Sequence, residues 1–225
     1  LIPRELIGTA QVPDGEELKL FRRGDDFMIV LQRNELMNSR MSGSEEALAT
    51  MTCERLAQRK ALRILIGGYG MGFTLRAALA VLPGDAELVV AELVPEIVAW
   101  AKGPMAALTA GCLDDARVSV VFEDVAASID KAKGEYDAIL LDVDNGPDGL
   151  TRLGNDRLYS SRGVAAVRRA LKPGGVLAVW SAAPDAPFAR RLREGDLTVD
   201  EVVVRARSNG KGARHVIWFA RRPEA

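Results

Sequence analysis

RILIGGYGMGFTLRAAL, running from Arg63 to Leu79, is the stretch whose reading decides the fold of this chain. Ile64, Leu65 and Ile66 form a short apolar run of the kind buried in a parallel sheet, where both faces of a strand are covered. Gly67, Gly68, Gly70 and Gly72 follow, and Thr74 to Leu79 reads as the start of a helix. Strand, glycine turn and helix together bring free backbone N–H groups up to a bulky polar ligand at a helix N-terminus. Glycine is needed there because a Cβ would block the approach or forbid the turn. A glycine loop alone is a weak signal, so its meaning rests on the residues around it.

Downstream, strands and helices alternate. Leu88 to Ala91 predicts a second strand ending at Glu92, and Pro95 opens a helix to about Lys102, at a position where a missing N–H costs nothing. Arg117 to Phe122 predicts a third strand closing on Glu123-Asp124, and Tyr136 to Leu141 a fourth closing on Asp142. Ser160 or Ser161 caps a helix through Leu171. Lys172-Pro173-Gly174-Gly175 stops that helix, and Val176 to Trp180 is a fifth strand. This order predicts an α/β fold with a Rossmann-like, mostly parallel sheet and helices on both faces. Leu197 to Ala206 and Ala213 to Ala220, joined through Asn209-Gly210, close it with an antiparallel hairpin.

Upstream, Leu6 to Val12, Leu18 to Arg23 and Phe27 to Gln32 are strand-like runs broken by Pro13-Asp14-Gly15 and Gly24-Asp25. They predict a small N-terminal β-meander. Ser44 before Glu45 and Glu46 predicts a capped helix through Leu56, with acids in its first turn. The expected division is a meander over 1–40 and the α/β domain over 41–225.

Composition narrows the function classes. A formal net charge of −1 gives no general attraction to nucleic acid or to an anionic membrane. No apolar run is long enough to span a bilayer. Cys53 and Cys112 are too few for a disulfide framework, which sets the expectation of a reducing cytoplasm. The single histidine, His215, excludes a histidine-rich metal site and a Ser-His-Asp triad on any other histidine. No metal is expected.

Ligands of a doubly wound sheet sit beyond the carboxyl ends of its strands. Gly68, Tyr69, Gly70, Met71 and Gly72 are the candidate cradle. Glu92, followed by Leu93, lies about 20 residues beyond it, the spacing at which a carboxylate accepts from ribose hydroxyls. Glu123 and Asp124 end the third strand, and Asp124 is placed to accept from the exocyclic amine of adenine. Asp142 would face the reacting part of the ligand, as the one good candidate for a base. Each acid also has a plain reading as a helix cap or solvated loop residue, but three at successive strand ends point to ligand binding. Trp180, with Pro187 and Phe188, is a candidate lining of an acceptor pocket. Arg205, Arg207, Lys211, Arg214 and His215 gather at the hairpin tip, where the plain reading is a solvated charged turn.

From about Ile64 to Pro187 the chain resembles the spermidine synthase family within the class I S-adenosylmethionine-dependent methyltransferase fold. LIGGYGMGFTLRAAL is similar to the family's glycine loop, VVAELVPEIV to its ribose-binding strand and RVSVVFEDV to its adenine-side strand. YDAILLDVDNGP is similar to its catalytic strand end, and RRALKPGGVLAVW to its fifth strand. The resemblance implies S-adenosylmethionine or its decarboxylated form as donor, and a small-molecule acceptor. It also implies a homodimer, for which the open edges of the meander are available.

Departures from the family pattern bear on the reaction. The aspartate that in the family holds the donor amine is here Met71, and the family's gate tyrosine falls at Ser44 if Glu46 is the helix glutamate after it. Asp142 matches the family's base, while Asp144 or Asn145 stands where a second acid holds the polyamine. On that matching the nucleoside half is kept and the acceptor half is altered. The expectation is therefore a methyl or other alkyl transferase using S-adenosylmethionine. The alternatives are an aminopropyltransferase using the decarboxylated donor and a nucleoside-binding protein without catalysis. A nicotinamide oxidoreductase fits poorly, because Phe73 stands at the last glycine of that motif.

Overall fold

The computed structural model describes residues 3–13, 15–143, 147 and 156–224. It opens with a four-stranded antiparallel sheet of β1 (Glu5–Gln11), β2 (Glu17–Arg23), β3 (Asp26–Leu31) and β4 (Asn34–Asn38), paired in chain order. The expected meander is present with one strand more. β4 is short and polar at both ends, and the chain turns into it at Gln32 (φ 54°) without a glycine. Neither a β-branched run nor a turn residue marks it in the sequence.

The rest of the chain is α1 (Gly43–Arg55), β5 (Arg63–Gly67), α2 (Phe73–Val81), β6 (Glu87–Ala91), α3 (Pro95–Lys102), the single turn α4 (Ala106–Thr109), β7 (Val118–Val121), α5 (Val125–Lys131) and β8 (Tyr136–Leu141). After β8 come α6 (Asp156–Tyr159), α7 (Ser161–Ala170), β9 (Leu171–Ser181), α8 (Ala186–Glu194), β10 (Thr198–Arg205) and β11 (Arg214–Arg221). Seven strands form one sheet in the order β10-β11-β9-β8-β5-β6-β7. β5 to β9 are parallel, and β11 and β10 close the edge antiparallel. From β5 the chain moves outward through β6 and β7, then returns to place β8 on β5's other side. The switch point thus falls between Gly67 and the residue after β8, Asp142.

All residues of β8 are buried, as a central parallel strand requires. Alternate residues feed two cores. Ile64, Ile66, Ala138 and Leu140 pack with α1, α2 and the N-terminal sheet, while Leu65, Ile139 and Leu141 pack with α5, α7 and α8. Phe188 belongs to the second core, with its ring 5.2 Å from that of Trp218. Trp180 belongs to the first. The two are on opposite faces of the sheet, so Phe188 does not join Trp180 in lining a pocket; it packs α8 down.

Two helix ends differ from expectation. α7 is capped as expected, with Ser160 Oγ accepting the Gly163 N–H at 3.1 Å. It ends at Ala170, and Lys172 to Gly175 bulges between the pairs Tyr136–Leu171 and Ala138–Val176. In α1 the cap position falls at Ser42, which makes no side-chain cap bond, and Ser44 lies inside the first turn. The start of α1 is pinned instead by the Gly43 N–H, which donates to the Ala206 carbonyl at 3.0 Å. That contact sets the helix against the end of β10 and turns Ser44 and Glu45 inward, where both are buried.

Candidate functional site

Gly68, Gly70 and Gly72 take φ values of 84°, 55° and 77°, the left-handed region that side chains other than glycine's rarely adopt. Close approach reinforces the need. A Cβ on Gly68 would lie 3.0 Å from the Asp142 carbonyl oxygen, and one on Gly70 would lie 2.8 Å from Met37 Sδ of β4. The side chains between these glycines turn away from the opening. Tyr69 is buried with its hydroxyl 3.3 Å from Cys112 Sγ, and burial pushes its phenol well above the usual range. Met71 has no exposed surface and belongs to the first core. The side chains of Tyr69 and Met71 thus support the loop from beneath, and the loop turns its backbone to the opening.

Glu92 holds the loop from the β6 side. Its Oε2 accepts the Tyr69 N–H at 2.9 Å and its Oε1 the Val94 N–H at 2.8 Å. Burial raises its pKa, and the backbone N–H groups work against that rise. Glu92 lines an open cleft with Gly68, Leu93, Asp124, Val125 and Val143. Asp124 caps α5 through Oδ1, which accepts the Ala126 N–H at 2.8 Å, and its second oxygen has no such duty. Glu123 is tied to α5 by Lys131 Nζ and Ser128 Oγ, both at 2.6 Å, and these donors hold its carboxyl below the usual range.

On the other side of the glycine loop, the end of β8 meets the N-terminal turns of α1 and α2. The Asp142 N–H donates to the Gly67 carbonyl at 3.2 Å, which locks the strand end beside the loop. Thr74 Oγ of α2 is 3.1 Å from Asp142 Oδ2 and 3.5 Å from the Glu45 carbonyl oxygen. Burial raises Asp142 to about 6, against the Thr74 hydrogen bond. Burial and then the negative charge of Asp142 raise Glu45 to about 7. Neither carboxyl forms an ion pair among the described residues. The negative charge of Asp142 opposes ionisation of Glu45, so the two carboxyls give up their protons at higher pH than exposed ones would.

Ser44 and His215 extend this group. Ser44 Oγ is 2.7 Å from Glu45 Oε2 and 2.9 Å from His215 Nδ1. The His215 ring stands edge-on to Trp180, with centroids 4.7 Å apart. Trp180 is 8% exposed, and its Nε1 has no hydrogen-bond partner among the described residues. The cationic cluster expected at the hairpin tip separates: Arg205, Arg207, Lys211 and Arg214 are exposed, whereas His215 turns inward. Asp144 and Asn145 lie outside the described residues.

Glu45 and Thr74 were not among the expected site residues. Glu45 does carry a signal. With Leu48, Ala49 and Thr52 it falls at the i, i+3, i+4, i+7 spacing of one helix face, and those three are buried. A carboxylate on an otherwise buried face needs a reason, and Asp142 and Ser44 supply it.

A parallel sheet with a glycine loop at its switch point and an antiparallel closing pair defines the class I methyltransferase-like fold. Within that class, residues 42–186 match the Spermine/spermidine synthase domain. The chain belongs to the spermine/spermidine synthase family. It is 31% identical over 172 residues to the "Polyamine aminopropyltransferase" of Mycobacterium tuberculosis, a match covering 75% of this chain and 31% of that protein. It is 30% identical over 146 residues to "Polyamine aminopropyltransferase 2" of Pseudomonas aeruginosa, covering 61% of this chain and 40% of the relative. The chain thus spans less than half the length of these curated relatives. Among solved structures, spermidine synthase from Thermotoga maritima superimposes with a TM-score of 0.77 at 19% identity, covering 98% of this chain and 73% of that one. A spermidine synthase in complex with the transition-state analogue AdoDATO gives 0.76 at 19%, with the same coverage. At that identity the likeness speaks for the fold.

Proposed function

We propose that the chain transfers an aminopropyl group from decarboxylated S-adenosylmethionine to an amine acceptor. The observation that carries this reading is the Glu45–Asp142 pair at the switch point, Glu45 buried and Asp142 half-buried, with no cation paired to either among the described residues. Such a pair attracts an ammonium and repels a carboxylate. The decarboxylated donor ends in a lone ammonium; S-adenosylmethionine itself also carries a carboxylate. The expectation of methyl transfer rested on Met71, on Ser44 at the gate position and on Asp144 or Asn145 at the second acid; of these, Met71 is buried in the core. The names of the relatives support the same choice.

In this reading Glu92 accepts from ribose hydroxyls, and the Asp124 oxygen that does not cap α5 accepts from an adenine amine. Asp142 takes a proton from the acceptor ammonium at a pKa near the working pH, where a general base is most effective. The freed amine attacks the methylene carbon beside the sulfonium, and the C–S bond breaks with its electron pair going to sulfur. The leaving group needs no acid, so the remaining task of the site is alignment and exclusion of water.

The test is product analysis. The chain is incubated with decarboxylated S-adenosylmethionine and a panel of linear diamines and polyamines, and methylthioadenosine and aminopropylated amine are followed by mass spectrometry. Both products should appear, and Asp142→Asn should slow them about 10²–10⁴-fold, the usual weight of a general base. S-adenosylhomocysteine formed from S-adenosylmethionine, with no methylthioadenosine from the decarboxylated donor, would restore methyl transfer.

A further inference from the structure

Ser44 has one hydroxyl proton and two hydrogen-bond neighbours, Glu45 Oε2 at 2.7 Å and His215 Nδ1 at 2.9 Å. Which neighbour receives that proton is decided by Glu45. An ionised carboxylate only accepts, so Ser44 then donates to Glu45, and His215 must carry its proton on Nδ1 to donate to Ser44. A protonated Glu45 donates to Ser44 Oγ. Ser44 then donates to Nδ1, and the His215 proton sits on Nε2. The two arrangements use the same heavy-atom positions and differ by one proton, which enters at Glu45 and, relayed along the hydrogen bonds, leaves from the ring at Nε2.

This chain begins at Glu45, on which the charge of the candidate base Asp142 acts, and ends near solvent. Asp142 faces Glu45 from the end of β8, Thr74 joins them from α2, and Glu46 is the other acid acting on Glu45, from its own helix. His215 faces the group from β11, held edge-on by Trp180 of β9. It is half-buried, beside the exposed Arg214. The ring therefore spans from the enclosed carboxylates toward the outer hairpin. Ser44 is buried inside the first turn of α1, and both neighbours of its hydroxyl are side chains.

We propose that Ser44 and His215 form the exit path for the proton that the amine acceptor gives up, and so act as positioning residues for the acceptor base. This rests on the amine-acceptor reading above. The acceptor enters as an ammonium, and Asp142 takes one proton from it and hands it to Glu45. Glu45 passes a proton to Ser44 Oγ as Ser44 passes its own to His215 Nδ1, and His215 releases the Nε2 proton to water. Glu45 and Asp142 recover their charge and the ring keeps its proton on Nδ1; exchange with water moves that proton to Nε2 when Glu45 is next protonated.

His215 is the sole histidine of the chain, so its ring nitrogens are identified without assignment in a ¹⁵N-labelled sample. The tautomer is read by ¹⁵N NMR from about pH 9 down to about pH 6. At the alkaline end the proton should sit on Nδ1. As Glu45 takes up its proton near about 7, it should shift toward Nε2. That step should precede full ring protonation, because burial pushes His215 below its ordinary pKa. Ser44→Ala and Glu45→Gln should each abolish the tautomer change, and circular dichroism reports whether they fold. A wild-type ring that keeps one tautomer across the range overturns the proposal, whether or not any amine is turned over. Once turnover is in hand, His215→Ala should lower kcat about tenfold with donor KM unchanged, and added imidazole should restore it. A kcat equal to wild type would sink the exit path while leaving the aminopropyl reading intact. Absence of all turnover would count against that reading, and the tautomer measurement would still decide the path.

Discussion

Strand β8 has an aspartate at each end, and the two sit in opposite surroundings. Asp137, near its amino end, is buried among donors: Arg59 Nη1 at 2.9 Å, Lys172 Nζ at 2.6 Å and the Arg63 N–H at 2.9 Å. Burial alone would raise its pKa, but those donors outweigh it and hold the carboxyl below the usual range. Asp142, just past the carboxyl end, has one hydroxyl at 3.1 Å and a second carboxyl, Glu45, as company. Its pKa is pushed up to about 6. The same residue type thus serves two purposes on one strand. Asp137 ties β8, β9 and the chain entering β5 together, and its charge is answered inside the fold. Asp142 and Glu45 have no cation paired to them among the described residues.

The comparison breaks most readily through stability. Asp137→Ala leaves Arg59 and Lys172 facing a buried gap and should cost about 3 kcal/mol in urea unfolding. A loss under about 1 kcal/mol would mean that the amino end is not an anchor. The effect of pH should be smaller and of opposite sign at the two ends. Glu45 and Asp142 are raised in the folded state, so between their ordinary values and about 7 the folded chain binds more protons than the unfolded one. Stability should therefore rise by about 1–2 kcal/mol as pH falls from about 8 to about 6. Asp137 is lowered, so its contribution is present above the ordinary aspartate pKa and is lost as pH falls through its folded value. Glu45→Gln should flatten the rise near neutral pH and leave the acid limb in place. Asp142→Asn, which removes a like-charge repulsion, should change stability by no more than about 1 kcal/mol. A cost matching that of Asp137→Ala would erase the contrast.

Much of this arrangement can be read from residue order. The apolar run at Ile64–Ile66, the glycines after it and the acids closing later strands specify the parallel sheet and its ligand-facing edge. Local chemistry suffices there, because a strand end and a glycine turn are decided within a few residues. The acceptor side is different. Ser44 and His215 are 171 positions apart, and they meet because α1 starts against the Ala206 carbonyl. Nothing local announces that contact. Met71 is another such case: a side chain in a glycine loop can point to the ligand or to the core, and packing beneath α2 decides it. β4 was hidden by its polar ends, and it forms because β3 offers it a partner edge.

The central claim is that the carboxyl end of β8 awaits a cation. Its most direct test is calorimetric titration of the chain with decarboxylated S-adenosylmethionine and with S-adenosylmethionine in one buffer near neutral pH. The expected result is binding of the decarboxylated donor at least about tenfold more tightly, a gap of about 1.4 kcal/mol, which Glu45→Gln narrows. Equal affinity, or preference for S-adenosylmethionine, would contradict the claim.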